Sequence, residues 1–168
     1  SDVYKRQCED TMKVLFTHSY FLRFDPKQWK QMQPYAPLGT LYAAACARDM
    51  GCEVALHDVM LADGPDSLRE PLHSFKPDVL VVYDDGFNYL TKMCLTNMRD
   101  AAFAMCKLGK QAGCKVLVSS SDATDHTAAY LDNGADFIII GEGEQTLKEL
   151  LLVLRNGKDN YRDIAGLV

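Results

Sequence analysis

A glycine-rich turn near the carboxyl end of the sequence combines residues suited to contact a large polar ligand. The turn, Gly141-Glu-Gly-Glu144, directly follows an apolar run at Phe137–Ile140 that predicts a buried strand. It leads into a segment with leucines on one face, which predicts an amphipathic helix. The glycines permit positive φ angles or close approach of a ligand to the backbone. The alternative is an ordinary strand-to-helix loop. The candidate contacts are Gly141, Glu142 and Gly143.

Three other loops that follow predicted strands carry polar candidates. The hydroxyl run Ser119-Ser120-Ser121 would bind a polar ligand, or it is a serine-rich turn that caps a helix. Asp84-Asp85-Gly86 is a second candidate contact, with a simple turn as the alternative. His18 follows the first predicted strand; it is either a neighbour of a cofactor or a loop histidine bonded within the protein.

The first of these loops, His18–Gln33, is unusually long and rich in aromatic residues. Loops of this length inside a compact domain are more often functional than idle. Its aromatic side chains, with Tyr20 among them, would cover a flat apolar cofactor or a partner domain, or would simply pack over the edge of the sheet. The next helix opens with Gly39 and Thr40, two further candidate contacts.

Composition restricts the class of protein. With 168 residues the chain fits one domain, and its net charge of −5 argues against a nucleic-acid-binding surface. No apolar run approaches the roughly 20 residues of a membrane span, so we expect no membrane partner. The cysteines lack metal-binding spacing, which predicts a reducing compartment, the cytoplasm, and no zinc or iron–sulfur site built from cysteines alone.

Strands and helices alternate along the chain. The predicted strands are 12–17, 52–57, 78–83, 115–119 and 137–140, and the predicted helices are 39–50, 66–75 with Asp66 as N-cap, 91–111, about 125–132, and 146–155. This alternation predicts an α/β fold: a doubly wound, flavodoxin-like, five-stranded parallel sheet in the order 2-1-3-4-5, with helices on both faces. We expect residues 1–11 to be a tag-like lead, 12–155 the domain, and 156–168 a linker.

Several motifs, in this order and spacing, resemble the cobalamin-binding domain of radical S-adenosylmethionine enzymes. They run from about residue 12 to the end of the chain and are individually weak. The motifs are Pro37-Leu-Gly-Thr-Leu-Tyr42, Gly51-Cys-Glu-Val54, His57-Asp58, Lys76-Pro-Asp-Val79, Ala135–Glu144 and Ile164-Ala-Gly-Leu-Val168. The resemblance implies cobalamin bound at the carboxyl edge of the sheet, in contact with the candidate residues above. It also implies a methyltransferase acting on an unactivated centre as the parent enzyme.

Three departures from the family's patterns refine this expectation. The Asp-x-His-x-x-Gly motif of methionine synthase and the mutases reads Phe16-Thr-His-Ser-Tyr-Phe21 here, so we expect base-off cobalamin without a histidine ligand. The usual Gly-Gly pair at the fourth strand is Ser119-Ser120. The Cys-x-x-x-Cys-x-x-Cys cluster motif is absent, so the iron–sulfur cluster and S-adenosylmethionine would belong to a barrel elsewhere in the same polypeptide. The chain is then a binding module and not a complete enzyme.

Two other functions share this topology. A cofactor-free scaffold or partner-binding domain would keep the fold without the ligand. A phospho-receiver domain would place an aspartate after the third strand, as here, but would also need an acidic pair after the first strand, where this chain has Thr17-His18.

Overall fold

The five predicted strands form one parallel sheet. The structure, a computed structural model, describes residues 11–84, 95–157 and 160–168. The strands are β1 (Lys13–Thr17), β2 (Glu53–His57), β3 (Val79–Tyr83), β4 (Lys115–Ser119) and β5 (Phe137–Ile139). Their order across the sheet is β2-β1-β3-β4-β5, and every neighbouring pair is parallel. The predicted fold class and strand order are confirmed.

Helices cover both faces of this sheet. They are α1 (Pro26–Gln31), α2 (Leu38–Asp49), α3 (Arg69–Phe75), α4 (Leu95–Gln111), α5 (Ser121–Asp125), α6 (Thr127–Asp132) and α7 (Glu144–Arg155). The first residues of the helix predicted at 91–111 lie outside the described residues. Across the described part of the chain, the helices are all too short or too polar to cross a bilayer.

The side chains of the central strand, β3, point alternately to the two faces of the sheet and so contribute to two separate cores. Leu80 and Val82 of β3 pack on one face with residues of α3, α4 and α6, while Val81 and Tyr83 pack on the other with α2 and α7. All five residues of β3 are buried, as expected for a parallel strand covered on both faces. The helices that follow β1 and β5 therefore share one face of the sheet.

Three predicted segments differ from the structure. The loop expected at 18–33 contains a 3-10 turn and α1, because the Asp25 carboxylate caps the N–H groups of Lys27 and Gln28 at 3.1 Å and Pro26 fits the first helical turn.

The other two differences are helix starts. Asp66 is not an N-cap, since a 3-10 turn at Pro65–Leu68 precedes α3 and the Asp66 carboxylate pairs with Arg69 at 2.8 Å. The helix expected at about 125–132 is α6, which begins at Thr127. A further short helix, α5, begins before it at Ser121, because the Ser120 hydroxyl accepts a hydrogen bond from the Ala123 N–H at 2.9 Å.

The carboxyl-terminal segment lies along β5. The N–H of Ile138 donates to the Val168 carbonyl at 2.8 Å, and the N–H of Ile140 donates to the Gly166 carbonyl at 2.8 Å. Ile164 is buried in the core shared with α2 and α7. This antiparallel pairing covers the edge of β5. The expected linker at 156–168 and its connection to a further domain stay predictions.

One side-chain hydrogen bond ties α2 to the end of β3. The hydroxyl of Thr40, which is fully buried, donates to the carbonyl of Tyr83 at 2.6 Å. Replacing Thr40 by valine keeps the shape but removes the donor, and we expect the free energy of unfolding to fall by about 1–3 kcal/mol.

Urea denaturation measures this loss, with Thr40→Ser as the matched control that keeps the hydroxyl. Equal stability of Thr40→Val and wild type would show that the hydrogen bond from Thr40 to the Tyr83 carbonyl contributes nothing to the stability of the fold.

Candidate ligand-binding cavity

A cavity of about 760 Å³ with a mixed polar and apolar lining lies at the carboxyl ends of β3, β4 and β5. Parallel pairing places Tyr83 beside Ser119 and Ser119 beside Ile139, so the loops that follow these strands begin at the same level. The first turn of α2 contributes Gly39 to the wall. The predicted candidates in its lining are Gly39, Asp84, Ser119, Ser120, Ser121, Gly141 and Glu142. The structure therefore brings together residues from loops that are far apart in sequence.

The floor of this cavity is a set of close polar contacts. The side chain of Tyr83 is 7% exposed, and burial, followed by the nearby Glu144 carboxylate, raises the pKa of its hydroxyl. A Cβ at Gly143 would lie 2.9 Å from the Tyr83 hydroxyl oxygen and 3.2 Å from the Ser119 hydroxyl oxygen. Only a glycine allows α7 to start this close to β3 and β4. Gly143 therefore shapes the floor from within the protein.

Gly141, in the turn between β5 and α7, has a different structural role from Gly143. Its φ angle is +82°, a conformation that side chains with a Cβ rarely adopt, and a Cβ built there would meet no protein atom within 4 Å. The conformation of the turn thus requires Gly141, and its backbone borders open space in the cavity. The positive φ angle is one of the two reasons for glycine that the sequence suggested here; close approach of a ligand stays a prediction.

Some of the candidate hydroxyl groups are bonded within the protein, and others are open to the cavity. The Thr40 hydroxyl is committed to the Tyr83 carbonyl, and the Ser120 hydroxyl caps α5. Ser121, by contrast, is an exposed residue at the start of α5. Direct hydroxyl contact with a ligand is therefore easier for Ser121 than for Thr40, which sequence reasoning treated alike.

Asp84 fastens the loop after β1 to the end of β3. Its two carboxylate oxygens accept from the Ser19 N–H at 2.6 Å and from the Ser19 hydroxyl at 2.8 Å. Burial raises the pKa of the Asp84 carboxyl, and these bonds only partly oppose the shift. A carboxylate engaged in this way is poorly placed to accept a phosphoryl group, which disfavours Asp84 as the acceptor of a receiver domain. The neighbouring candidates Asp85 and Gly86 lie outside the described residues.

The imidazole ring of His18 makes a hydrogen bond at each of its two nitrogens. Its Nδ1 accepts from the Tyr20 N–H at 3.3 Å, so the ring proton lies on Nε2, which donates to the Asp58 carboxylate at 2.8 Å. That hydrogen bond lowers the pKa of Asp58. His18 is only 2% exposed and is absent from the cavity lining. While these contacts hold, neither nitrogen has a lone pair to offer a metal.

Tyr20 also lies apart from the main cavity. Its side chain is 1% exposed, its ring lies 5.5 Å from that of Tyr35, and it borders a second cavity of about 460 Å³ beside the start of α2. The aromatic loop is thus mainly packed against the protein, in agreement with the alternative of simple packing.

No group of three or more His, Cys, Asp or Glu side chains among the described residues is arranged to hold a metal ion.

Sequence reasoning missed several residues of the cavity. They are Tyr83, Thr124, Asp125, Ile140 and Glu144. Tyr83 carried a usable signal, since it is a polar-tipped residue that ends an otherwise aliphatic strand. Thr124 and Asp125 lie in α5, and the sequence pattern did not predict a helix at 121–124.

The raised pKa of the half-buried Asp84 carboxyl gives a pH-dependent prediction. Because the folded-state pKa is raised above the ordinary value of 3.8, ionisation opposes folding, and stability falls as pH rises through the raised value. Asp84→Asn removes the charge and can still bond both Ser19 groups. We therefore expect the stability of Asp84→Asn relative to wild type to increase between about pH 4 and about pH 7.

Urea denaturation at both pH values tests this expectation. The comparison variant Asp84→Ala leaves the Ser19 N–H without its acceptor and should lose about 1–3 kcal/mol. A stability difference between Asp84→Asn and wild type that does not change with pH would refute the raised pKa.

Comparison with solved structures supports the fold independently. A structure of the cobalamin-dependent S-adenosylmethionine radical enzyme OxsB with aqua-cobalamin and S-adenosylmethionine bound matches 99% of this chain at 14% identity and a TM-score of 0.66. The same enzyme with aqua-cobalamin alone matches at 15% identity and a TM-score of 0.66. Its apo form matches at 15% identity and a TM-score of 0.57. The chain spans 21% of the length of OxsB in each case.

No family model matches the sequence, and no curated protein matches it significantly. At this identity the likeness shows a shared fold.

Proposed function

We propose that this chain is a cobalamin-binding module and that the cavity at the ends of β3, β4 and β5 is its binding site. The observation that carries the proposal is the position of the cavity: it lies at the carboxyl edge of a doubly wound sheet, where ligands of such folds bind. The fold shared with an enzyme solved with aqua-cobalamin bound adds independent support.

The chemistry of the cavity suits a corrinoid. The rim of a corrin ring carries amide side chains, whose N–H groups need acceptors. The cavity offers carboxylates at Asp125, Glu142 and Glu144, together with serine hydroxyls and the backbone at Gly141. The cavity is open to solvent on one side. This opening is needed because the ligand is much larger than the cavity and must extend out of it. The residues present therefore fit the group.

The described residues also support cobalamin without a protein ligand on cobalt. His18 is held by Asp58 and by the Tyr20 N–H, and it is absent from the cavity lining. Releasing its ring would break both hydrogen bonds. We propose that His18 fixes the loop after β1 to the end of β2, and that cobalamin binds in the base-off state.

The parent protein would then be a radical S-adenosylmethionine methyltransferase. Cobalamin, when bound, supplies a carrier for the methyl group that is transferred. This chain's own residues would orient the corrinoid through the cavity lining and limit the access of water. The iron–sulfur cluster and S-adenosylmethionine would be held by a barrel in the same polypeptide, because the cluster motif is absent from this sequence.

Binding of hydroxocobalamin by the chain tests the proposal directly. We expect corrin absorbance to travel with the protein in gel filtration. Gly141→Asn should weaken binding at least tenfold, about 1.4 kcal/mol, because asparagine tolerates a positive φ angle but projects a side chain into the cavity.

The matched control is Gly157→Asn. Gly157 also has a positive φ angle with open space around its missing Cβ, but it follows α7 at the opposite end of that helix. Thermal melts show whether both variants are folded. Unchanged affinity in a folded Gly141→Asn variant would remove the turn from the binding site.

The ligation state gives a separate prediction. Electron paramagnetic resonance of the Co(II) form should show no nitrogen splitting from a protein histidine, and His18→Ala should leave the spectrum unchanged. Nitrogen splitting that is present in wild type and lost in His18→Ala would show that His18 leaves Asp58 to bind cobalt.

A further inference from the structure

The charge of the cavity wall is entirely negative among the described residues. The described residues of its lining include the carboxylates of Asp84, Asp125, Glu142 and Glu144, with no lysine, arginine or histidine among them. Asp84 is bonded to Ser19, and burial raises the pKa of its carboxyl, so Asp84 is set apart from the other three. The other three carboxylates define the acidic rim: Asp125, Glu142 and Glu144.

No cation compensates this acidic rim within the described part of the chain. The ion pairs found there use other carboxylates: Arg99 pairs with Asp122 at 2.5 Å, and the imidazole of His126 lies 3.8 Å from the same carboxylate. Asp125 and Glu142 are exposed, and Glu144 is half-buried in the first turn of α7. From the described residues, a ligand entering the cavity therefore meets several carboxylates and other hydrogen-bond acceptors, and no side-chain cation.

Such a wall discriminates between ligands by their peripheral groups. A neutral amide donates its N–H to a carboxylate, whereas a peripheral carboxylate is repelled by it. Repulsion of like charges at a binding site is a recognised source of specificity against a closely related ligand. The acidic rim would thus reject a corrinoid that still carries free carboxylates and accept one that is fully amidated.

We infer that Asp125, Glu142 and Glu144 make the site selective for a corrinoid with a neutral, amide-bearing periphery over one with peripheral carboxylates. This inference rests on the proposed function and adds the feature by which the site chooses its ligand. It assigns the three side chains a role in specificity and none in the chemistry at cobalt.

Two ligands with the same nucleotide tail isolate this feature. They are cobalamin and its b,d,e-tricarboxylic acid, in which the propionamides are hydrolysed to carboxylates. Equilibrium dialysis followed by corrin absorbance gives both dissociation constants. We expect wild type to bind cobalamin at least tenfold more tightly than the acid, about 1.4 kcal/mol.

Neutralising the acidic rim should remove most of this preference. In the variant Asp125→Asn, Glu142→Gln, Glu144→Gln we expect the ratio to fall to about threefold or less, mainly because the acid binds better. The matched control Glu70→Gln, Asp100→Asn, Asp132→Asn removes the same formal charge at exposed positions outside the cavity lining and should keep the wild-type ratio.

Ionic strength provides a second readout that needs no variant. The Debye length falls from about 10 Å at 0.1 M salt to about 3 Å at 1 M, so repulsion of the acid should weaken and the wild-type ratio should shrink. A preference that survives in the neutralised variant would overturn the role of the rim.

The outcomes separate this inference from the proposed function. Tight binding of cobalamin and of its tricarboxylic acid with equal affinity would overturn the inference and leave cobalamin binding in place. Failure of the wild type to bind either ligand would overturn the proposed function and the inference with it.

Discussion

The parallel register of β3, β4 and β5 is the constraint on which the candidate site depends. Tyr83 pairs with Ser119 and Ser119 with Ile139, so the three strands end at one level and their loops begin together. A shift of one residue in this register would turn the side chain of Tyr83 to the opposite face of the sheet. The hydrogen bond from Thr40 to the Tyr83 carbonyl holds the first turn of α2 against the same edge.

The fold was predictable because its signals are local and repeated. Short apolar runs between amphipathic segments mark buried parallel strands, and β3 is buried along its whole length. Helix starts were less predictable, since they depend on single side chains. Asp25 caps an unexpected helix in the first loop, and Ser120 caps a second one, α5, that precedes the predicted helix. Covering of β5 by the segment ending at Val168 depends on a long-range pairing that the sequence pattern does not reveal.

The candidate site was predictable in its location and less so in its members. Glycines and serines after strands indicate the edge where a ligand binds, and Gly141 and Ser119 do line the cavity. The role of an individual polar residue depends on its partner in three dimensions. His18 and Thr40 both looked available in sequence, yet Asp58 occupies the first and the Tyr83 carbonyl the second.

A corrinoid in the cavity at the ends of β3, β4 and β5 would protect the loops that line it. Hydrogen–deuterium exchange of the chain with and without cobalamin, resolved by peptide, measures this protection. We expect slower exchange in the presence of cobalamin for peptides covering 119–125 and 140–146, with no change at 69–77 in α3 and the residues that follow it. Protection confined to other segments, or absent throughout at saturating cobalamin, would contradict it.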